Sequence, residues 1–427
     1  MNALKNLINK AKQDSLIKNF SVLFSGTAVA QVISFLLSPV LTRLYSPSEF
    51  GVNSIYNSFL LIGAVFATLR LQTPIAMTDK NSERSKLTEL SLSTSLFFAV
   101  IIGLVALIFP DELNAIFGVE SAHWFWILPI SMWFIGAYET FFQALLSEQR
   151  YRDMTVVSIA KVAIMGIAQI GLVFLNTGFM GLIVGNLLSY IIVVVYMVIK
   201  VKYKIQLPNL QELGNTFKQY AEYPKYAFPA ELLSISSTQL LPIMISFLYS
   251  SEVTGYYSLA NRLIGVPITI IGNSLRQVYL KEATIEYKNT GNVYKTFKKT
   301  STMLLGIAFP IGIVLAVIAP WFFGLFFGSE WIIAGTYLQL LVPVFLARFI
   351  VTPIMGTIYI VNKTKLGILV NGALMSISVI LTILFNFLAV SKPEPFFITY
   401  SLAYLAIYLI IYIYFWIKIS QKERRNK

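Results

Sequence analysis

Runs of about twenty apolar residues, each long enough to cross the hydrocarbon core of a bilayer as a helix, follow one another along this chain with little polar sequence between them. Twelve such runs can be drawn, near residues 19–42, 51–78, 87–109, 124–147, 154–175, 179–199, 227–248, 255–280, 301–326, 331–360, 366–389 and 396–417. With 56% hydrophobic and 12% charged residues, too little polar surface remains to coat a soluble globule of this length. Lipid is the expected solvent. The runs are continuously apolar and rich in Leu, Ile and Val, whereas a membrane β-barrel would show short alternating segments. The expected fold class is therefore an all-α integral membrane protein with 12 transmembrane helices.

The basic residues set the orientation. If the N-terminus is cytoplasmic, 26 of the 33 Lys and Arg residues fall in inside segments, and only Arg43 and Lys392 fall outside. That asymmetry predicts both termini in the cytoplasm and an even number of spans. It also accounts for the formal net charge of +13 without a nucleic-acid partner, because the excess is spread over seven cytoplasmic segments.

Other chemistries are disfavoured by what the chain lacks. It has no Cys and one His, His123, so disulfides, thiolate chemistry and His/Cys metal sites are not expected. No Gly-rich phosphate loop, nucleophile elbow or paired-carboxylate arrangement stands out. The chain does not read as an enzyme, and no cofactor or metal is expected. Residues 1–18 carry Leu4, Leu7, Ile8 and Ile17 among lysines, a pattern suited to a helix on the anionic cytoplasmic leaflet.

The sequence repeats itself. Residues 36–57 align with 240–261 at a constant offset of 204, with eight identities that include Tyr45/Tyr249, Ser46/Ser250, Gly51/Gly255, Ser54/Ser258 and Asn57/Asn261. An offset of six helices preserves orientation, so the repeats are parallel and related by a pseudo-two-fold axis along the membrane normal. The expected organisation is an N-lobe at 1–200, a cytoplasmic linker at 201–226 and a C-lobe at 227–427. Pro208, Gly214 and Pro224 punctuate the linker around a short surface helix near 209–222.

Two similar lobes suggest alternating access, with cargo bound in a cavity between them. Charges inside the spans identify the cargo class. Five cations lie there, Arg70, Lys161, Arg262, Arg276 and Arg348, against two acids, Glu139 and Glu231. A charge at a helix centre costs about 2.5–3.5 kcal/mol on insertion scales, so such residues face a wet cavity or a partner. A cation-rich path suits an anionic headgroup, since guanidinium groups present paired donors to phosphate oxygens. The competing readings are that Arg70 and Arg276 snorkel to lipid phosphates and that Lys161 pairs with Glu139. Glu139 and Glu231 are candidates for coupling to Na+ or H+, or for balancing a neighbouring base.

Amides in the spans, among them Gln31, Asn57, Gln239 and Asn261, suit sugar hydroxyls, although each can equally bond a neighbouring helix. Tyr400, Tyr404, Tyr408 and Tyr412 form an i, i+4 stripe; packing or interface anchoring is its expected role. Pro39 and Pro242, at nearly equivalent places in the two repeats, are candidate hinges, with static kinks as the alternative.

Two stretches, VLTRLYSPSEFGVNSIYNS at 40–58 and TGYYSLANRLIGVPITIIGNSLRQVYLKEA at 254–283, resemble the signature regions of polysaccharide-biosynthesis flippases. These O-antigen, Wzx-type translocases belong to the superfamily that includes multidrug and toxin extruders. The family-like positions are Arg43, Tyr45, Glu49, Gly51, Gly255, Tyr257, Ala260, Arg262, Pro267 and Gln277; of the five cations in the spans, Arg262 alone is among them. The resemblance implies a V-shaped, MATE-like bundle in a bacterial inner membrane. It implies movement of an undecaprenyl-pyrophosphate-linked oligosaccharide, the repeat unit of an O-antigen or other surface polysaccharide, to the periplasmic leaflet. The expected partners are that cargo, membrane lipids and the polysaccharide polymerase machinery, and the expected transport unit is a monomer. A cation-coupled multidrug extruder of the same fold is the alternative, but it calls for an acidic cavity. Lipid II flippases usually carry two more spans, and a membrane glycosyltransferase or polymerase calls for a large outside loop with catalytic side chains.

Overall fold

The computed structural model describes residues 15–78, 80–112, 124–203, 209–360 and 364–425. The expected surface helix over 1–18 lies almost wholly outside the described residues, as does His123. Among the described residues the chain is helical with no β-strand, as lipid requires of a backbone that must satisfy its own hydrogen bonds.

The helices are α1 (Ser15–Leu41), α2 (Pro47–Thr68), α3 (Asn81–Ile108), α4 (Leu128–Ser147), α5 (Tyr151–Val173), α6 (Phe179–Val201), α7 (Leu210–Gln219), α8 (Phe228–Leu248), α9 (Ser251–Pro267), α10 (Asn273–Thr290), α11 (Tyr294–Phe327), α12 (Ile332–Ile354), α13 (Thr357–Ile360), α14 (Thr364–Phe387) and α15 (Pro393–Arg425). Helix covers most of each of the twelve apolar runs. Among the described residues, nine spans are long and apolar enough to cross a membrane. Local sequence explains several boundaries. Ser46 and Glu49 cap α2 reciprocally: the Glu49 carboxylate accepts from the Ser46 backbone N–H at 2.7 Å, and the Ser46 hydroxyl faces the Glu49 N–H at 3.4 Å, with Pro47 at the first helical position. Its repeat equivalent, Ser250, caps α9 by accepting from the Val253 N–H at 3.2 Å. The run expected as one helix over 255–280 is helical throughout, with a π-helical segment, Ile268–Gly272, joining α9, which ends at Pro267, to α10.

The chain divides into two compact units. The first comprises Met1–Tyr45 and Tyr56–Leu232, and the second comprises Ser46–Ile55 and Leu233–Lys427. The units thus divide within α8, and the first turns of α2 group with the second unit.

In the first unit α5 packs on α1 and α6, and α4 on α3 and α6. Ala137, Phe141 and Leu145 of α4, spaced by four residues, meet Met154 and Val157 of α5 and Val193, Val194 and Met197 of α6 in one buried cluster. The short α7 starts at Asn209, whose side chain accepts from the Gln211 N–H at 3.0 Å, and it packs on α3.

In the second unit α12 is the central helix, packed by α9, α10, α11 and α15. Its apolar window is 61% buried, more than that of any other candidate span. The grouping of residues 46–55 with this unit has a visible cause. A Cβ added at Gly51 would lie 1.7 Å from the Ser251 carbonyl oxygen, and one at Gly255 would lie 1.8 Å from that of Pro47. The two glycines paired by the sequence repeat are thus the two that let α2 and α9 cross backbone to backbone. The Ser48 and Ser251 hydroxyls are 2.8 Å apart at the same crossing.

Candidate functional site

Two groups of polar and charged side chains stand out within the apolar helices, one in each unit. The first is a group of four charges. Glu139 of α4 is attracted electrostatically by Lys161 of α5 and by Arg70, and it is repelled by Glu231 in the first turn of α8. Lys161 Nζ donates to the Tyr190 hydroxyl at 2.8 Å and lies 4.1 Å and 5.0 Å from the ring centroids of Tyr190 and Tyr138. Aromatic faces and a phenol oxygen therefore share this ammonium with the carboxylate. With two cations and two acids, the group balances its own charge.

Arg70 is not where the apolar run puts it. The run 51–78 reads as one span with Arg70 within it, but α2 stops at Thr68. Leu69 and Arg70 then adopt φ of 46° and 62°, a left-handed conformation costing about 1–2 kcal/mol per non-glycine residue. Residues 68–74, which hold Arg70, Gln72, Thr73 and Pro74, interrupt the apolar run before the 3₁₀ segment Thr73–Met77, so the break carries a local signal that a twenty-residue window averages away. The turn carries Arg70 towards Glu139, and its Nε is buried without a hydrogen-bond partner.

The second place is a cavity of about 410 Å³ in the second unit, walled by α8, α9, α12, α14, α15 and Ser54 of α2. Arg348 of α12 lines it, as do Gln239, Asn261 and Asn371, several Ser and Thr hydroxyls, and Tyr257, Tyr400, Tyr404 and Tyr408. The four tyrosines are the electrostatic neighbours of Arg348. Among the described residues, Arg348 is the one wall residue charged at neutral pH, and no carboxylate is present on the wall. Tyr404 ties the helices together: its hydroxyl lies 2.8 Å from that of Ser378 on α14, 3.0 Å from the Leu374 carbonyl and 3.3 Å from the Ser237 carbonyl on α8. Tyr400 leans on Tyr404 with ring centroids 4.2 Å apart.

The other expected site residues distribute as follows. Asn261 and Gln239 are on the cavity wall. Arg262, one residue further along α9, is rotated about 100° from Asn261 and is half-buried off that wall, as is Arg276 on α10. Asn57 is engaged by Asn186, whose side-chain N–H donates to its oxygen at 2.9 Å; this is the interhelical alternative for that amide. Gln31 is half-buried on α1 and belongs to neither group. Pro39 and Pro242 lie inside α1 and α8, which run through them as helices.

From sequence, the tyrosine stripe is expected to pack or to anchor at the interface. Three of its four members line the cavity, while Tyr412 does pack, 5.7 Å from Phe297 and 6.3 Å from Trp416. A usable signal existed: Arg348 stands near mid-depth of its run, and a mid-depth cation needs polar or aromatic neighbours at the same level of another helix. Asn371, on the wall from α14, had no comparable signal.

Fold and site together describe a polytopic helical membrane protein with a polar, cation-bearing cavity among apolar helices. The chain is similar to solved transporter structures over nearly its whole length. The lipid II flippase MurJ, in an inward closed conformation, superposes with a TM-score of 0.72 at 18% identity, covering 94% of this chain and 90% of that one. A multidrug resistance MATE family transporter of the MOP superfamily, inward-facing, gives 0.66 at 13% identity over 94% and 95%. A MOP superfamily transporter from Pyrococcus furiosus, described as having a binding pocket of reverse polarity, gives 0.60 at 15% identity over 95% and 96%. At these identities the likeness establishes the fold alone. No curated protein sequence matches the chain. Residues 40–334 match the family described as polysaccharide biosynthesis protein, and the chain belongs to that family.

Proposed function

We propose that the protein is a flippase that carries a lipid-linked oligosaccharide, the repeat unit of an O-antigen or related surface polysaccharide on an undecaprenyl-pyrophosphate carrier, from the cytoplasmic to the periplasmic leaflet of a bacterial inner membrane by alternating access. Both termini are cytoplasmic on this reading, twelve helices span the bilayer, and the chain performs no catalysis. Family membership supports the polysaccharide assignment, and the MOP fold supports a transport role. The observation that carries the choice of cargo is the Arg348 cavity: a guanidinium enclosed with amides and phenols and no wall carboxylate favours an anion bearing hydroxyl groups. A multidrug extruder taking cationic compounds would need the opposite polarity there.

Arg70, Lys161, Arg262, Arg276 and Arg348 are the proposed anion path, with Arg348 its best-supported member. Arg70 and Lys161 attract Glu139 while Glu231 repels it, which favours a coupling role for that group: protonation or Na+ binding at a carboxylate changes its net charge and biases any two-state element attached to it. The proposed partners remain membrane lipids and polysaccharide polymerase, with a monomer as the transport unit.

Deletion of the gene tests the reading. The expected result is a lipid-linked oligosaccharide that accumulates facing the cytoplasm, with rescue by wild type and loss of rescue by Arg348→Ala. Undiminished delivery to the periplasm, with drug efflux lost instead, would establish the extruder.

A further inference from the structure

The Arg348 cavity carries a charge inventory that discriminates between anions. Among the described residues its wall supplies one positive charge, and the remaining polar groups are neutral amides, hydroxyls and phenols. A lipid-linked oligosaccharide can present two kinds of anion, the doubly esterified pyrophosphate bridge with two negative charges and the single carboxylate of any acidic sugar in the glycan. A doubly charged bridge enclosed against one guanidinium would leave a charge stripped of water and unmatched, which neutral dipoles do not offset. One carboxylate against one guanidinium is balanced, and the planar fork of arginine accepts a carboxylate in two parallel hydrogen bonds.

The rest of the wall fits a ring. Asn261 and Asn371 each offer a carbonyl acceptor and two N–H donors, the pattern that vicinal hydroxyls require. Tyr257, Tyr400, Tyr404 and Tyr408 supply aromatic surface on the wall for the C–H face of a sugar, and the Tyr404 hydroxyl is already committed to Ser378 and backbone carbonyls. A volume of about 410 Å³ lies within the range of small-molecule sites.

We propose that this cavity is a subsite for an acidic sugar, a hexuronic or other carboxylate-bearing ring of the transported glycan, with Arg348 holding the carboxylate and Asn261 and Asn371 the ring hydroxyls. The assignment rests on the flippase reading and narrows its substrate class to acidic repeat units, with the pyrophosphate bound elsewhere.

The test uses the purified full-length protein in nanodiscs, titrated with galacturonate, glucuronate and N-acetylneuraminate, and separately with galactose, acetate and inorganic pyrophosphate. At least one acidic sugar is expected to bind with a Kd tenfold or more below those of galactose, acetate and pyrophosphate. Arg348→Gln should abolish that preference and Arg348→Lys should keep part of it, both with an unchanged melting profile. Pyrophosphate binding as tightly as the acidic sugars and depending on Arg348, or no preference for an acidic sugar over galactose, would overturn the assignment. Should Arg348→Gln melt early, the wild-type titrations decide alone. A second arm analyses the glycan accumulated by the deletion strain. An accumulated glycan without acidic sugar refutes this subsite and leaves the flippase reading standing, whereas absence of any accumulated lipid-linked glycan refutes the flippase reading itself.

Discussion

Alanine at Gly51 or Gly255 should break the crossing of α2 and α9, against what local propensity predicts. Both glycines are interior to helices, where replacement by Ala would by itself stabilise the helix by about 0.8–1 kcal/mol. The crossing reverses the sign. The added methyl at Gly51 would stand 1.7 Å from the Ser251 carbonyl oxygen and that at Gly255 would stand 1.8 Å from the Pro47 carbonyl oxygen, whereas carbon and carbonyl oxygen ordinarily approach no closer than about 3.3 Å. The helices must therefore part by about 1.5 Å at this point, and the obstructing atoms are backbone, which has no rotamer to escape into. Overpacking of this kind costs about 1–3 kcal/mol, enough to outweigh the propensity gain over most of that range. The chain contains no Cys, so Ser48→Cys with Ser251→Cys introduces a single reporter pair where the hydroxyls are 2.8 Å apart. Oxidation should link this pair in high yield in the parent, and in much lower yield when Gly51→Ala or Gly255→Ala is added. Equal cross-linking in all three proteins, or a raised melting temperature in either alanine variant, would refute the reasoning.

Other substitutions report on separate parts of the molecule. Asn186→Ala removes the 2.9 Å donor to Asn57 and should destabilise the first unit by about 0.6–1.7 kcal/mol with transport retained in a vesicle flipping assay; loss of transport at unchanged stability would return Asn57 to the cargo path. Phe141→Ala, in a cluster where Phe141 is 2% exposed, should cost about 3–5 kcal/mol in denaturant unfolding. Tyr220 follows α7, and its hydroxyl donates to Glu83 at the start of α3; burial, then this bond to a carboxylate, pushes its pKa up to about 12. Because the folded value lies above the unfolded value of about 10, the attachment is fully present below pH 10 and is lost as pH rises through about 12. Hydrogen exchange in residues 210–219, corrected for intrinsic rate, should therefore be flat between pH 6 and 9, and Tyr220→Phe should speed it across that range.

Much of the architecture was legible without coordinates because lipid imposes a one-dimensional rule: a backbone in hydrocarbon must bond to itself, so an apolar run of sufficient length is a helix. The repeat was equally legible, and its paired glycines turned out to be one physical contact. The rule failed where a short interruption sat inside a long apolar run: the break after Thr68 and the turn that carries Arg70 are marked only by Gln72, Thr73 and Pro74, too few residues to split a run drawn by length and hydropathy.

The candidate site divides along the same line. The sequence by itself determined that Arg348, Glu139 and Lys161 could not face lipid, since the cost of an unpartnered charge there depends only on depth and medium. Tertiary structure decided the partners. It collected Arg70, Lys161, Glu139 and Glu231 into one self-balanced group, bound Asn57 to Asn186, and drew three tyrosines of the α15 stripe around Arg348. Which side chains meet depends on how helices rotate and cross, and that follows from packing among segments far apart in the chain.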